Sequence, residues 1–137
     1  MEAIRKTRLL VLVALAALAV ISCGDDDSPT GPGIQPQITN MPDDFAYQVS
    51  SVTNYTGVLS YSWRNTGAQA NVNQATTVTA GSLTLSIRDA AGTEVYARSL
   101  ADNGTFVTSA GDTGMWSIRV IYSGMSGTVN FRAQKKT

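Results

Sequence analysis

The hydrophobic pattern of the chain changes near residue 45. Residues 9–21 form an unbroken apolar run, whereas from Phe45 onward apolar and polar residues alternate with a period of two. This alternation is clearest in five segments, which begin near residues 45, 59, 83, 116 and 129. Strict alternation gives a segment one buried and one solvated face, and it is therefore typical of antiparallel β-sheets.

Three weaker segments fill the intervals between these strands, and turn signals separate them all. The weaker strands are predicted at Ala70–Thr79, Thr93–Leu100 and Gly104–Ser109. The turns are rich in glycine, asparagine and aspartate, and one of them is predicted from Asn54 to Gly57. The sequence therefore predicts an all-β fold for residues 45–137, an antiparallel and jelly-roll-like β-sandwich of about eight strands.

The last two strong segments also allow a prediction of register. The apolar residues Trp116, Ile118 and Val120 are even-numbered, whereas Val129 and Phe131 are odd-numbered. If the two segments form a hairpin with their apolar side chains on one face, directly opposed residues must have numbers with an odd sum.

The first 22 residues have the pattern of a secretory signal peptide. Three basic residues, Arg5, Lys6 and Arg8, precede the apolar run, and Ser22 closes it. The run is shorter than the roughly 20 residues that a membrane-spanning helix needs. A basic start, a short apolar stretch and a small residue at the end predict a helical signal peptide over residues 1–22, cleaved between Ser22 and Cys23.

The end of this segment, Val20-Ile21-Ser22-Cys23, resembles the lipobox of bacterial lipoproteins. The resemblance implies that the mature protein begins at an acylated Cys23 (palmitate among its lipids) and that its first partner is a membrane. Two or more acyl chains would make this attachment stable. We therefore expect a lipid anchor in the bacterial cell envelope, in the outer membrane, on its periplasmic face or on the cell surface.

The acidic run after the cysteine bears on the same question. Asp25, Asp26 and Asp27 resemble the acidic signals by which some bacteria place lipoproteins on the cell surface. Alternatively, the three aspartates only keep the following segment solvated. Residues 23–44 contain all four prolines of the chain together with several glycines, so we predict that they form a flexible tether.

A second resemblance covers part of the β-rich region. The segment 82–89, followed by Gly92 and Val95-Tyr96, resembles the strand–Asp-x-x-Gly–strand hairpin of bacterial pre-peptidase C-terminal domains. Residues 114–120 and 127–131 resemble the closing hairpin of those domains, and the convertase P-domain has a similar closing pattern. The resemblance implies a jelly-roll-like sandwich of the kind appended to secreted proteins. No residue cluster here matches the calcium sites of that family.

The residue types needed for most catalytic chemistry are missing from the chain. It has no histidine and one cysteine, which excludes a Ser-His-Asp triad, an imidazole base and an internal disulfide. Only four acidic residues follow Phe45, and three of them lie in turn sequences, where aspartate usually caps its own backbone. We therefore predict no catalytic site, no cofactor and no enzyme. A weak alternative is a calcium site formed by Asp102, Asn103 and Asp112.

The remaining candidates are surface residues that contact a ligand. Tyr55 lies in a predicted turn, where an exposed ring could stack on a sugar. Four arginines fall in the outward phase of their strands and could form a stripe for an acidic polymer or lipid headgroups, or could simply be scattered solvating charges. These arginines are Arg64, Arg88, Arg119 and Arg132.

The charge of the β-rich region does not favour a nucleic-acid partner. Residues 45–137 contain seven basic and four acidic residues, and this excess of basic residues is too small for a nucleic-acid-binding surface.

These observations give a first hypothesis and two alternatives. The first hypothesis is a membrane-anchored envelope lipoprotein that displays a non-catalytic β-sandwich for binding, adhesion or envelope structure, with a protein or glycan as its unidentified ligand. The alternative is a carbohydrate-binding module. An enzyme or a calcium-binding accessory domain is less favoured, because no residue pattern points to either.

Overall fold

The computed structural model describes residues 34–137, which contain seven β-strands and no helix. The predicted signal peptide, Cys23 and the first part of the predicted tether lie outside the described residues. Within residues 34–137 no helix is long and apolar enough to cross a membrane. The strands are β1 (Gln37–Met41), β2 (Asp44–Asn65), β3 (Ala70–Gln74), β4 (Thr77–Arg88), β5 (Glu94–Ser99), β6 (Gly104–Val107) and β7 (Gly114–Lys135).

The predicted fold class, an antiparallel β-sandwich, is confirmed. Every strand pair is antiparallel, and the two longest strands, β2 and β7, have 22 residues each. Tyr47 and Tyr61 both lie on β2, yet their ring centroids are 5.9 Å apart. An unbent strand would separate them by roughly 45 Å. Strand β2 therefore folds back over itself and contributes one half to each layer of the sandwich.

The two layers share β2 and β7. The first layer has the order β1, N-terminal half of β2, C-terminal half of β7, β3, β6. The second layer has the order C-terminal half of β2, N-terminal half of β7, β4, β5. Because the chain crosses between the layers inside its longest strands, one continuous hydrogen-bonded network forms both sides of the core.

Glycines and irregular register mark the bend. The pairing of β2 with β7 shifts register between Val49 and Gly57, and β7 contains Gly124 and Gly127 with φ of 53° and 143°. A Cβ atom on Gly127 would lie 2.0 Å from the carbonyl oxygen of Thr77. Since no side chain fits there and the φ value is one that L-residues rarely adopt, the close approach of β4 to the bend requires glycine at this position.

The predicted closing hairpin is wrong. Residues 114–122 and 129–135 are two halves of β7, and each half pairs with β2 rather than with the other. The buried positions change from even (Trp116) to odd (Met125, Val129) because the bend shifts the register by one residue. The turn predicted at 54–57 is likewise part of β2. These two mergers remove two of the roughly eight predicted strands, and β1, which the sequence does not predict, brings the total to seven.

The folded part of the chain also begins earlier than residue 45. Residues 37–41, which the composition assigns to the tether, form β1 and pair with residues 44–48 of β2. Ile34 is only 5% exposed and belongs to the core. Pro36 and Pro42 flank β1 without entering it, and an edge strand tolerates proline at its ends because its outer N–H groups have no sheet partner.

The β4–β5 hairpin forms where the Asp-x-x-Gly sequence predicts it. The buried Asp89 carboxylate accepts hydrogen bonds from the backbone N–H groups of Ala91 (3.0 Å), Thr93 (2.9 Å) and Asp112 (2.8 Å). These bonds, that from Asp112 foremost, lower the pKa of Asp89. Gly92 completes the turn with a φ of 88°. The aspartate thus ties the start of β7 to the hairpin.

Aromatic rings and two polar links fill the space between the layers. Trp63 and Trp116 are register partners whose rings meet edge to face at 6.0 Å. The hydroxyl groups of Tyr47 and Tyr122 lie 2.7 Å apart, and burial raises the pKa of Tyr122 to about 12. Across the other side of the core, Tyr96 donates to Oε1 of Gln74 at 2.6 Å. The buried hydroxyls of these three tyrosines therefore have hydrogen-bond partners.

Candidate binding surface

The outward side of the second layer carries most of the unneutralised basic charge of the domain. We call this surface the arginine face. Its residues alternate with the core residues of β2, β7, β4 and β5, so they share one flat side of four neighbouring strands. The arginine face consists of Arg64, Arg88, Arg119, Ser60, Ser62, Ser86, Ser117, Thr84, Glu94, Val58, Ile121 and Met115.

The register sets arginines beside serines. Arg119 lies opposite Ser60 on one neighbouring strand and opposite Ser86 on the other. Two residues along β7, Ser117 lies opposite Ser62 and Arg88. Arg88 and Arg119 are therefore diagonal neighbours on adjacent strands, with Cβ atoms about 7–8 Å apart or somewhat less. Ser60, Ser62 and Ser117 thus present hydroxyl groups beside the guanidinium groups, whereas Ser86 is buried and donates to Glu94.

The arginine face has a single carboxylate, and that carboxylate is already hydrogen-bonded. Glu94 is the register partner of Arg88, but its Oε2 accepts a hydrogen bond from Ser86 at 2.8 Å. Arg88 instead donates to the backbone oxygen of Gly92 at 3.0 Å. No carboxylate within residues 34–137 lies at salt-bridge distance from Arg64, Arg88 or Arg119.

Three basic residues elsewhere in the domain form ion pairs with carboxylates. Arg98 pairs with Asp102 at 3.5 Å and also stacks over the ring of Phe106, with its guanidinium carbon 3.8 Å from the ring centroid. The other two ion pairs among the described residues hold the end of β7 to the start of β2. They are Arg132 with Asp44 at 3.2 Å and Lys135 with Asp43 at 3.8 Å. Unneutralised arginines are thus concentrated on one face.

Arg132 does not belong with the other candidate arginines. It lies on the C-terminal half of β7, where it is the register partner of Ala46 and Asn73 in the first layer. Since Arg132 belongs to the layer that does not contain Arg88 and Arg119, a single stripe of all four arginines is wrong. The bend in β7 places Arg119 and Arg132 in different layers, although both follow the outward phase in the sequence.

Tyr55 is not the exposed turn residue that the sequence predicts. It lies within β2, is half-buried, and packs edge to face on Tyr122 with centroids 4.9 Å apart. Its hydroxyl group also covers Gly57, where an added Cβ would lie 2.7 Å away. All ten aromatic residues of the chain lie in the described part, and each of them is buried or half-buried. The structure therefore offers no exposed aromatic ring for sugar stacking.

The calcium candidates are engaged in separate structural contacts. Asp102 pairs with Arg98, and the side chain of Asn103 accepts a hydrogen bond from the N–H of Thr76 at 2.8 Å. Asp102 and Asn103 come directly before β6, whereas Asp112 comes after it. The backbone N–H of Asp112 donates to the carboxylate of Asp89. The structure does not bring the three residues together, and residues 34–137 contain no group of three or more acidic, histidine or cysteine side chains that could hold a metal.

The arginine face lies on a domain that has no cavity. No pocket is present within residues 34–137. Two exposed apolar side chains, Val58 (47% exposed) and Met115 (53% exposed), lie at opposite margins of the arginine face. Binding through this domain would therefore use an extended surface.

The sequence shows part of this surface. Strand alternation identifies Arg64, Arg88 and Arg119 as outward-facing, and it places several serines in the same phase. It does not show that Ser60 and Ser86 flank Arg119, because that depends on which strands are neighbours and on their register. The lipidation candidate Cys23 and the cleavage site between Ser22 and Cys23 lie outside the described residues.

Comparison with known proteins adds weak structural likenesses only. No protein family and no curated protein matches the chain. KdgF from Halomonas sp. is 19% identical with a TM-score of 0.34, over 82% of this chain and 88% of KdgF. A chain in the structure of infectious bursal disease virus Gt strain is 14% identical with a TM-score of 0.35, over 83% of this chain and 35% of the viral one. Likeness of this extent carries no argument about function.

Proposed function

We propose that this chain is a lipid-anchored protein of the bacterial cell envelope that displays its β-sandwich as a non-catalytic binding module. The lipobox-like sequence ending in Cys23 supports the anchor. The observation that carries the binding role is the arginine face, where three arginines without a carboxylate partner in residues 34–137 share a flat surface with a row of serines.

A flat basic surface favours binding over catalysis for physical reasons. Catalysis generally needs a site that excludes water and fixes reacting groups, which a cleft provides. An exposed sheet face instead makes many parallel polar contacts with a partner surface. The alternative of a sugar-binding module through Tyr55 has no observation in its favour, because that ring packs on Tyr122.

Metabolic labelling with a radioactive or clickable fatty acid tests the anchor. The wild-type chain should incorporate the label and fractionate with membranes, whereas Cys23→Ala should lose the label. Ser22→Ala is the matched control, because it keeps a small residue before the cysteine and should preserve labelling. Equal labelling of wild type and Cys23→Ala would refute the anchor.

A further inference from the structure

The arginine face also indicates which partner it fits. We propose that it lies on the phosphate-bearing headgroups of the membrane to which the protein is anchored, so that the domain is held in one orientation at the bilayer surface. This inference rests on the proposed function, since it takes the anchor at Cys23 as given. Its evidence is the location of charge, hydroxyl groups and apolar side chains on the same side of one layer.

The charge of the arginine face is complementary to that of phosphate groups. Guanidinium groups bind phosphate oxygens in bidentate geometry, and serine hydroxyls can donate to the same oxygens. The face presents Arg64, Arg88 and Arg119 against the single carboxylate of Glu94, which Ser86 already occupies. Each basic residue near an anionic membrane surface strengthens association by about fivefold, so three together contribute on the order of 100-fold.

The arginine face is the open side of a sheet with apolar side chains at its margins. It spans four strands spaced about 4.8 Å apart, and residues 34–137 contain no pocket that could enclose a ligand. Val58 and Met115, both about half exposed, lie near its two ends, where they can enter the interfacial region of a bilayer. A planar partner with phosphates at its surface and hydrocarbon beneath matches all three properties.

The segment between the proposed anchor and the β-sandwich is short. Only ten residues separate Cys23 from Ile34, where the described fold begins, and these can span no more than about 40 Å. A domain held this close to the bilayer meets the headgroups at a high effective concentration. Weak contacts by three arginines are then sufficient to orient it.

Site-directed spin labelling of the acylated full-length mature protein tests the orientation. The label is placed at Ser62→Cys on the arginine face or at Gln48→Cys on the outer side of the first layer, and acylation of Cys23 leaves the introduced thiol as the free one. The proteins are reconstituted into vesicles of 30% phosphatidylglycerol in phosphatidylcholine or of phosphatidylcholine alone. Accessibility to a water-soluble nickel relaxant is then measured.

We expect the anionic vesicles to reduce relaxant access at position 62 several-fold and to leave position 48 unchanged. High salt should restore access, because it screens the charges. Arg64→Gln/Arg88→Gln/Arg119→Gln should abolish the protection. The charge-matched control Arg98→Gln/Arg132→Gln/Lys135→Gln should retain it, since these residues lie off the face. Equal access at both positions, or loss of protection in both triple variants, overturns the proposal.

Two further outcomes assign the face to another occupant and also overturn the membrane proposal. Protection at position 62 by soluble polyphosphate, without protection by anionic vesicles, would indicate a soluble anionic polymer. Protection on neutral vesicles that Asp25→Asn/Asp26→Asn/Asp27→Asn removes would indicate the acidic segment of the chain itself. Lipid labelling of Cys23 separates the two proposals, because an acylated protein without protection at position 62 retains the anchor and loses only the orientation.

Discussion

The hydroxyl groups of Tyr47 and Tyr122 lie 2.7 Å apart, which joins the two layers through one buried hydrogen bond. Tyr47 belongs to the half of β2 in the first layer, and Tyr122 to the half of β7 in the second. Both side chains are at most 2% exposed. The pair is therefore a buried polar contact between the two layers, as is the hydrogen bond from Tyr96 to Gln74.

Replacing one tyrosine of this pair should lower the free energy of unfolding by more than the lost contact area alone would suggest. Tyr122→Phe leaves the Tyr47 hydroxyl buried without its partner, which costs about 1–3 kcal/mol of the free energy of unfolding. In Tyr47→Phe/Tyr122→Phe both polar groups are gone, so the double variant should lose less than the sum of the two single losses. Urea denaturation of the four proteins measures the coupling. Strictly additive losses would contradict it.

Alkaline pH should destabilise the domain through the same pair. Burial raises the pKa of Tyr47 well above its ordinary value, and it raises that of Tyr122 to about 12. A group whose pKa is raised by folding stabilises the fold below its unfolded pKa, near 10 for tyrosine, and this stability is lost as the pH rises further. The free energy of unfolding should therefore fall above pH 10, and less steeply in Tyr47→Phe/Tyr122→Phe. Parallel pH profiles would refute the assignment.

Lowering the pH should also destabilise the domain, in this case because Asp89 becomes protonated. Hydrogen bonds from Asp112, Thr93 and Ala91 lower the pKa of this carboxyl in the folded protein. The unfolded chain therefore binds more protons as the pH falls below about 4, and the stability that the ionised group supplies above this pH is progressively lost. Asp89→Asn should lower the melting temperature at pH 7 and flatten the loss in acid. Asp102→Asn, which removes an exposed carboxylate, is the control, and equal effects of the two variants would contradict the role of Asp89.

The stability of the bend in β7 should fall when even a methyl group is added at Gly127. Gly127→Ala adds a methyl group 2.0 Å from the carbonyl oxygen of Thr77, at a φ of 143°. We expect a loss of about 3 kcal/mol or more, from steric strain and backbone strain together. Gly92→Ala is the matched control, because its φ is also positive but no atom lies within 4 Å of the added Cβ. It should lose only about 1 kcal/mol from backbone conformation. Thermal unfolding compares the two, and equal losses would show that contact with Thr77 is unimportant.

The sequence predicts the local parts of this structure well and the connections between them poorly. Alternation correctly assigns buried positions such as Leu85 and Ile118, because side-chain direction in a strand depends only on the neighbouring residues. It does not distinguish a tight turn from a bend inside a strand. Ser51 and Asn54 have positive φ inside the bend of β2, but the fold-back of this strand depends on which distant strands pair.

The same limit applies to the binding surface. Arg88 and Arg119 are predicted to face outward and do so on adjacent strands, whereas Arg132 has the same local pattern and lies in the other layer. The one-residue change of phase in β7, visible in the sequence as a switch from even to odd apolar positions, is the signal that could have revealed the bend. The switch alone does not distinguish a bend from a hairpin, because glycines at 124 and 127 suit a tight turn equally well.

Sharing β2 and β7 between the layers has a consequence for how the domain folds. Each half of β2 pairs with β7, which begins about 50 residues after β2 ends. Neither layer can therefore be completed before β7 has been made. Contacts between such distant segments carry a large loop-closure cost and make folding slow. A chain that is made from its N-terminus onward would thus remain unfolded until β7 is available, and would then form both layers in one cooperative step.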